Sequence, residues 1–221
     1  MRSPFSIYAL AVLGVVVSLV GCGSTGERSS ADRAARNRAT VKGLPATGSV
    51  LGSPSAPYTL VVFARLDDAR TATFVNETLP ELVRSSVRSR KLKIQVRTLT
   101  PAGAASDAEA LARLVQGAGL TGRFWDVLGT IAANYVGVVD DSLRMRVEQD
   151  TGLDVPKLRA LGDSQRVTRA LEVADNLGEA VAARRFALML RDSTGQQTRV
   201  PTERNELVAA LDKIIGGRPS K

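Results

Sequence analysis

Residues 63–74 read FARLDDARTATF and follow an apolar run, YTLVVF, at 58–63. The run is typical of a buried strand, and the residues after position 68 have the period of a helix. The stretch is therefore a strand-to-helix turn, a place where many α/β enzymes hold their nucleophile. Here positions 68–71 read DART, with no thiol, histidine or glycine-rich loop.

Length and composition predict one globular domain with extensions. The chain has 221 residues, of which 44% are hydrophobic, enough for one well-buried core. Aromatic residues make up 4%, which disfavours a base-stacking surface and so a nucleic-acid partner. The excess of 30 Lys and Arg over 22 Asp and Glu points instead to an anionic surface or to a solvated exterior.

Two residue types are scarce enough to limit the chemistry. The sequence has no histidine, which removes Ser-His-Asp and Cys-His catalysis and the usual transition-metal ligand. It has one cysteine, Cys22, and no phosphate-binding glycine loop. We expect no catalytic residue, no cofactor and no metal ion.

The N-terminal residues have the pattern of a secretion signal. The apolar run at 7–20 follows Arg2 and is shorter than the roughly 20 residues that span a bilayer. It ends in LVGC at 19–22, which resembles the lipobox of bacterial lipoproteins. This resemblance implies a signal peptide over 1–21 and acylation (palmitate) of Cys22, which would anchor the chain in membrane lipid on the extracytoplasmic face. An uncleaved anchor with an incidental cysteine is the alternative, and the receiving membrane, inner or outer, is left open.

Residues 22–49 are predicted to be the lipidated N-terminus and a flexible linker. They are rich in Gly, Ser, Ala and Arg and lack a sustained apolar face. Their basic side chains suit either anionic headgroups or simple solvation.

The opening of the domain carries a family resemblance. LGSPSAP at 51–57 followed by TLVVF at 59–63 resembles the start of the DsbA-like branch of the thioredoxin-fold oxidoreductases. The resemblance implies an α/β, thioredoxin-like domain over 50–217. KLKIQVRTL at 91–99 alternates as a second strand does, and the helical residues at about 103–178 match the inserted helical subdomain of this family.

The family's Cys-x-x-Cys turn is degenerate here. Aligned on the flanking phenylalanines and the following Leu-Pro pair, the two family cysteines fall on Asp68 and Thr71. An aspartate at a helix start is a good N-cap, and it places a negative charge where the reactive thiolate would lie. We interpret Asp68 as an N-cap; an acidic ligand site is the alternative. Pro80 is expected to kink the helix that follows.

The family's cis-proline is missing as well. EAVAARRFALMLRD at 179–192 places Ala183 or Arg184 at its position, where we expect a trans peptide bond. A strand is predicted at 186–190, followed by an edge strand and a closing helix at 202–215. By the resemblance, both halves of the redox site are lost together.

A helix within the insertion is predicted to supply core residues. GRFWDVLGTIAANY at 122–135 resembles the family's Phe-Trp helix. The residues expected in the core are Phe124, Trp125, Leu128 and Ile131. Use of Trp125 as a ligand platform is the alternative.

Four arginines are expected to converge at the carboxyl ends of the central strands, where open α/β sheets bind ligands. They are Arg65, Arg70, Arg184 and Arg185. Such a cluster suits a carboxylate or phosphate, but in so arginine-rich a chain an ordinary solvated surface is the preferred interpretation.

Three hypotheses on function follow. The first is a redox-inactive envelope lipoprotein that binds an exported protein or peptide, or acts as a chaperone. The second, implied by the resemblance, is a thiol-disulfide oxidoreductase, but exchange requires an attacking thiolate that this chain lacks. The third is an anion-binding or small-ligand-binding protein that uses the arginine rim.

Overall fold

A mixed β-sheet lies at the centre of the structure, a computed structural model that describes residues 25–100, 106–135 and 141–216. The strands are β1 (Ala46–Thr47), β2 (Val50–Leu51), β3 (Tyr58–Ala64), β4 (Leu92–Thr98), β5 (Phe186–Arg191) and β6 (Gln197–Val200), in the order β1-β2-β4-β3-β5-β6. β3 and β4 are parallel, and the other neighbours are antiparallel. Every residue of β3 is buried, in keeping with a sequence that is apolar apart from Thr59.

Helices cover the sheet and form the inserted region between β4 and β5. They are α1 (Thr25–Val41), α2 (Ala69–Thr73), α3 (Leu79–Leu82), α4 (Ser106–Leu120), α5 (Phe124–Asn134), α6 (Asp141–Thr151), α7 (Val155–Gly162), α8 (Gln165–Ala180) and α9 (Arg204–Gly216). The predicted α/β fold with a helical insertion is thus confirmed. The predicted signal peptide and Cys22 lie outside the described residues, and no helix within those residues is long and apolar enough to cross a bilayer.

The helix after β3 is continuous from 69 to 87, and we call it the long helix. It consists of α2 and α3, each followed by a π-helical turn, at Phe74–Thr78 and at Val83–Val87. The N–H of Leu79 bonds to the carbonyl of Phe74, five residues earlier. Pro80 follows immediately and has no N–H to donate. The wider π-helical turn therefore comes where the ordinary hydrogen-bond ladder is interrupted.

The core is divided by the sheet into a large and a small cluster. The large cluster contains Leu60 and Val62 of β3 together with residues of the long helix, α5 and α9. The small cluster lies on the opposite face and includes Val61, Phe63 and Met189. The predicted core residues of α5 are all buried, namely Phe124, Trp125, Leu128 and Ile131.

The prediction of a flexible linker at 22–49 is wrong for most of that segment. Residues 25–41 form α1, which packs on α5, and β1 and β2 then pair with the sheet before the expected domain start at 50. The folded unit therefore begins well upstream of that boundary.

Small and polar residues, rather than large apolar ones, hold α1 in place. Ser30, Ala34 and Asn37 are buried, and they recur at the spacing of one helix face. The Asn37 amide donates to the carbonyl of Gly129 at 2.9 Å and to Oδ1 of Asn76 at 2.7 Å. A Cβ on Gly129 would lie 3.0 Å from Cβ of Asn37, so this glycine permits the close approach of α1 and α5.

We predict that Ala34→Leu destabilises the domain whereas Ala35→Leu does not. Ala34 is 0% exposed and its neighbour Ala35 is exposed, so only the first substitution forces extra methyl groups into a packed interface. We expect a loss of about 1–3 kcal/mol for Ala34→Leu and a change within about 0.5 kcal/mol for Ala35→Leu, measured by urea denaturation. Equal stability of the two variants would show that α1 does not pack on the domain.

Candidate functional site

The turn between β3 and the long helix lies at one edge of the sheet, beside the start of β5. The backbone N–H of Arg65 donates to the carbonyl of Arg185 at 2.9 Å, which extends the antiparallel pairing of β3 and β5 by one step. The turn and the loop before β5, which the resemblance identifies as the two halves of a redox site, are therefore in contact.

Asp68 is the N-cap of the long helix, as predicted. Its Oδ1 accepts the backbone N–H of Arg70 at 2.9 Å, and its carboxylate also accepts two hydrogen bonds from the Arg70 guanidinium, at 3.0 and 2.8 Å. The side chain of Asp68 is 9% exposed, whereas that of Arg70 is 52% exposed. Hydrogen bonding by the Arg70 side chain holds the pKa of Asp68 below its ordinary value, although burial opposes this shift.

Thr71, at the second family cysteine position, is buried and hydrogen-bonded. Its hydroxyl donates to the carbonyl of Arg65 at 2.6 Å. The Arg65 guanidinium forms a bidentate ion pair with Asp67, with Nε 2.8 Å from Oδ1. The polar side chains of the turn therefore bond mainly to the turn itself.

Tyr135, which follows α5 in the helical insertion, is hydrogen-bonded to the turn. Its hydroxyl, at the end of α5, donates to the carbonyl of Asp67 at 3.0 Å. Burial raises the pKa of Tyr135, and the nearby carboxylates of Asp67 and Asp68 add to this effect. The sequence analysis did not single out this residue, because an aromatic side chain just after an apolar helix has no pattern that separates a site contact from packing.

The loop before β5 has no cis peptide bond, and none occurs elsewhere in the described ranges. Ala183 is buried, and its N–H donates to the carbonyl of Gly178 at 2.7 Å. Ala182, just before it, has a positive φ of 53°. A Cβ on Gly178 would approach Leu99 to 2.8 Å, so this glycine lets the end of α8 lie against β4 and the loop.

Three of the four rim arginines line one cavity of about 860 Å³. Its walls contain Arg65, Leu99, Thr100, Asp175, Glu179, Ala182, Ala183, Arg184 and Arg185. The fourth arginine, Arg70, does not line it; its guanidinium carbon lies 6.0 Å from the ring centre of Phe186.

The rim arginines differ in their availability to a ligand. Arg65 and Arg70 are paired with carboxylates of the turn. Arg184 and Arg185 are exposed, and within the described ranges their side chains make no hydrogen bond or ion pair, although the charge of Arg185 contributes to the lowered pKa of Asp68. The cation cluster predicted from sequence is therefore reduced to these two side chains.

The cavity lining also contains two acidic residues, which the sequence analysis missed. Asp175 and Glu179 lie one turn apart on α8, a spacing that places both on the same helix face. Asp175 accepts the backbone N–H of Thr100 at 2.8 Å and its hydroxyl at 2.5 Å. The four-residue spacing of these two acidic residues could have been noticed in the sequence. Such spacing does not show, however, which part of the structure that face of α8 contacts.

The described residues contain no group of three or more Cys, Asp or Glu side chains placed to hold a metal ion. The arrangement can donate and accept hydrogen bonds and can pair with charges of either sign. A polar or extended ligand fits these properties.

We predict that the ion pair of Asp68 contributes stability at neutral pH that is lost in acid. A depressed folded-state pKa gives stability that is present above the unfolded value near 4 and disappears as the pH falls through the folded value. Asparagine caps a helix about as well as aspartate does, so comparison of Asp68→Asn with the parent isolates the ion pair. Urea denaturation should show the variant less stable by up to about 1 kcal/mol at pH 7, with a difference that shrinks as the pH falls through the acidic range; a difference independent of pH would contradict this assignment.

Comparison with known proteins gives structural neighbours only. No protein-family model and no curated protein matches the sequence. The solved structure of DsbA2 from Pseudomonas aeruginosa superposes with a TM-score of 0.58 at 22% identity, covering 78% of this chain and 97% of that one. BdbD from Bacillus subtilis gives 0.63 at 15% identity, covering 80% and 98%. A thioredoxin-like oxidoreductase from Silicibacter pomeroyi DSS-3 gives 0.62 at 17%, covering 80% and 96%. This chain therefore has the DsbA-like thioredoxin fold, a mixed α/β structure with an inserted helical region.

Proposed function

We propose that this protein is a redox-inactive envelope lipoprotein whose DsbA-like domain binds an exported protein or peptide. It is anchored through acylated Cys22 on the extracytoplasmic face of a bacterial membrane. The proposal rests on which residues occupy the two positions that the resemblance aligns with the family cysteines, and on how their side chains are bonded. Asp68 and Thr71 stand there, and both side chains are engaged in hydrogen bonds within the turn.

Chemistry opposes the oxidoreductase hypothesis. Thiol-disulfide exchange begins with attack by a thiolate, and a dithiol enzyme needs a second thiol to resolve the mixed disulfide. The sequence contains one cysteine, Cys22, which lies far before the turn and has the context of an acylation site. Neither a carboxylate nor a hydroxyl at positions 68 and 71 can replace the missing thiols.

The cavity beside the turn supports binding of polypeptide. It offers exposed cations at Arg184 and Arg185, the exposed carboxylate of Glu179, and apolar atoms of Leu99. A polypeptide segment presents both charges and apolar side chains, so a wall of mixed character fits it better than it fits a purely anionic ligand.

We predict that the purified protein does not catalyse disulfide exchange and that the double variant Asp68→Cys/Thr71→Cys does. Both positions lie in the first turn of one helix, so their separation suits a disulfide, and the helix N-terminus would stabilise a thiolate there. Reduction of insulin should proceed at the uncatalysed rate with the parent and faster with the double variant. Catalysis by the parent at a rate matching the variant would refute the redox-inactive assignment.

We predict that filling the cavity weakens polypeptide binding. Glu179→Trp places a large side chain in the cavity wall, whereas Glu172→Trp makes the same change at an exposed position of α8 outside it. Fluorescence anisotropy with a reduced and carboxymethylated, permanently unfolded polypeptide should give a Kd about tenfold higher for Glu179→Trp, a loss of about 1.4 kcal/mol. The Glu172→Trp variant should bind as the parent does. Absence of binding by the parent, or equal binding by both variants, would contradict the proposal that polypeptide binds in the cavity.

A further inference from the structure

One face of the central sheet is basic, and it is the face that carries the small cluster; we call it the small-cluster face. Residues paired directly across neighbouring strands project to the same side of a sheet. Val61 of this face pairs with Gln95 and with Met189, and the pairs two residues away along the strands project to the same side. Four cationic residues of β4, β5 and β6 are thereby placed on this face, namely Lys93, Arg97, Arg191 and Arg199. Its other residues in β3 to β6 are Thr59, Val61, Phe63, Gln95, Ala187, Met189 and Gln197, and none of them is acidic.

Helices cover the small-cluster face only in part. Among the described residues, no helical side chain belongs to the small cluster, whereas several helices contribute to the large one. α8 meets this face at one end, where a Cβ on Gly178 would lie 2.8 Å from Leu99 and 3.7 Å from Phe63. The rest of the face therefore has no layer of helix packed over it in the part of the chain that the structure describes.

Two arginines at the middle of the face lack a partner of opposite charge. Arg97 on β4 and Arg191 on β5 lie diagonally on either side of Val61, and both are partly buried. Within the described ranges neither side chain makes a hydrogen bond or an ion pair. Burial lowers the pKa of Arg97, and the nearby charge of Arg191 adds to this effect. A bound anion would relieve both the loss of hydration and the repulsion between the two cations.

The other two cations of the face are bonded to neutral groups. Nζ of Lys93 donates to the carbonyl of Pro54 at 2.8 Å, and Nη1 of Arg199 donates to the carbonyl of Val181 at 3.4 Å. A carbonyl oxygen orients a cation but leaves its charge uncompensated. The small-cluster face thus presents four positive charges, and no carboxylate pairs with them within the described ranges.

The spread of these charges indicates the kind of anion that fits. β4 and β6 are three strand spacings apart, about 14 Å, and Lys93 and Arg97 are about 13 Å apart along one strand. One carboxylate or phosphate group cannot reach across such an area. An extended polypeptide can, because its alternate side chains project to one side at intervals of about 7 Å.

We propose that the small-cluster face binds an acidic segment of a polypeptide partner, whose carboxylates pair with Arg97 and Arg191 and with the cations around them. The two arginines are partly buried, so their stems lie along the sheet. A chain lying against the sheet reaches them better than a bilayer surface does. None of the four cations lines the cavity beside the Asp68 turn, so this surface is separate from that cavity and does not depend on acylation of Cys22.

The experiment measures the fluorescence anisotropy of fluorescein-labelled octaglutamate with the full-length protein. The parent should bind this peptide and should not bind labelled octalysine. Arg97→Met/Arg191→Met should raise the Kd for octaglutamate at least tenfold. Arg36→Met/Arg84→Met removes the same charge at exposed positions of α1 and the long helix and should change the Kd less than twofold. Absence of binding by the parent, or equal effects of the two pairs, would overturn the proposal.

The same variants test whether the two arginines lack partners in the folded protein. Methionine keeps a long apolar stem over the sheet and removes two like charges, so the urea midpoint of Arg97→Met/Arg191→Met should equal or exceed that of the parent. Arg97→Lys/Arg191→Lys keeps the charges and should bind octaglutamate within threefold of the parent. A lower urea midpoint for the methionine pair would mean that the arginines are already compensated, and a tenfold loss in the lysine pair would show that charge does not drive binding; either result contradicts the proposal.

A competition experiment separates an acidic polypeptide from an anionic lipid. Short-chain phosphatidylglycerol, kept monomeric and added at the same concentration of negative charge, should not displace octaglutamate from the parent. Full displacement would assign the face to lipid headgroups and would overturn the proposed partner.

Discussion

A helix that starts at a sheet edge exposes N–H groups that need hydrogen-bond acceptors, and the site depends on meeting this need. The carboxylate of Asp68 supplies such an acceptor. Asp68 accepts one of these groups and also holds the Arg70 guanidinium, which lies over Phe186 at the start of β5. One side chain thereby links the helix start to the neighbouring strand. In a thiol enzyme of this fold a thiolate would occupy the same electrostatic position.

The turn is hydrogen-bonded within itself and to the helical insertion, and it contains no thiol. Thr71 bonds to the carbonyl of Arg65, and Tyr135 bonds to that of Asp67. These contacts connect the turn to the end of β3, to the long helix and to the helical insertion. A rigid edge of this kind suits recognition, because little conformational entropy remains to be lost when a ligand binds.

Patterns of large apolar residues made most of the fold predictable. The continuous run of β3, the alternation of β4 and the aromatic pair Phe124-Trp125 each correspond to the observed element. α1 was missed because its buried face is built from Ser30, Ala34 and Asn37, which a search for apolar stripes treats as a polar linker. Its packing depends on a small residue of another helix, and such a pairing cannot be recognised from either segment alone.

The sequence predicted where the residues of the candidate site lie, but not which side chains pair with one another. Asp68 was expected as an N-cap because that role needs only local sequence. The ion pairs of Arg65 and Arg70 with the turn carboxylates depend on side-chain directions that residue spacing does not specify. The alignment with the family turn located these residues but could not show which cations remain unpaired.

For the proposed acylation at Cys22, the packing of α1 bears on how long the domain would stay attached to the membrane. Proteases that shed surface proteins cut extended chain, and in a folded segment cleavage follows the population of locally opened molecules. Because α1 begins at Thr25 and is docked through Asn37, much of the segment between the proposed anchor and the sheet is helical and not an extended, cleavable stalk. Under the proposed anchoring, cleavage within α1 would require the helix to detach first, so a stronger α1 interface would prolong attachment.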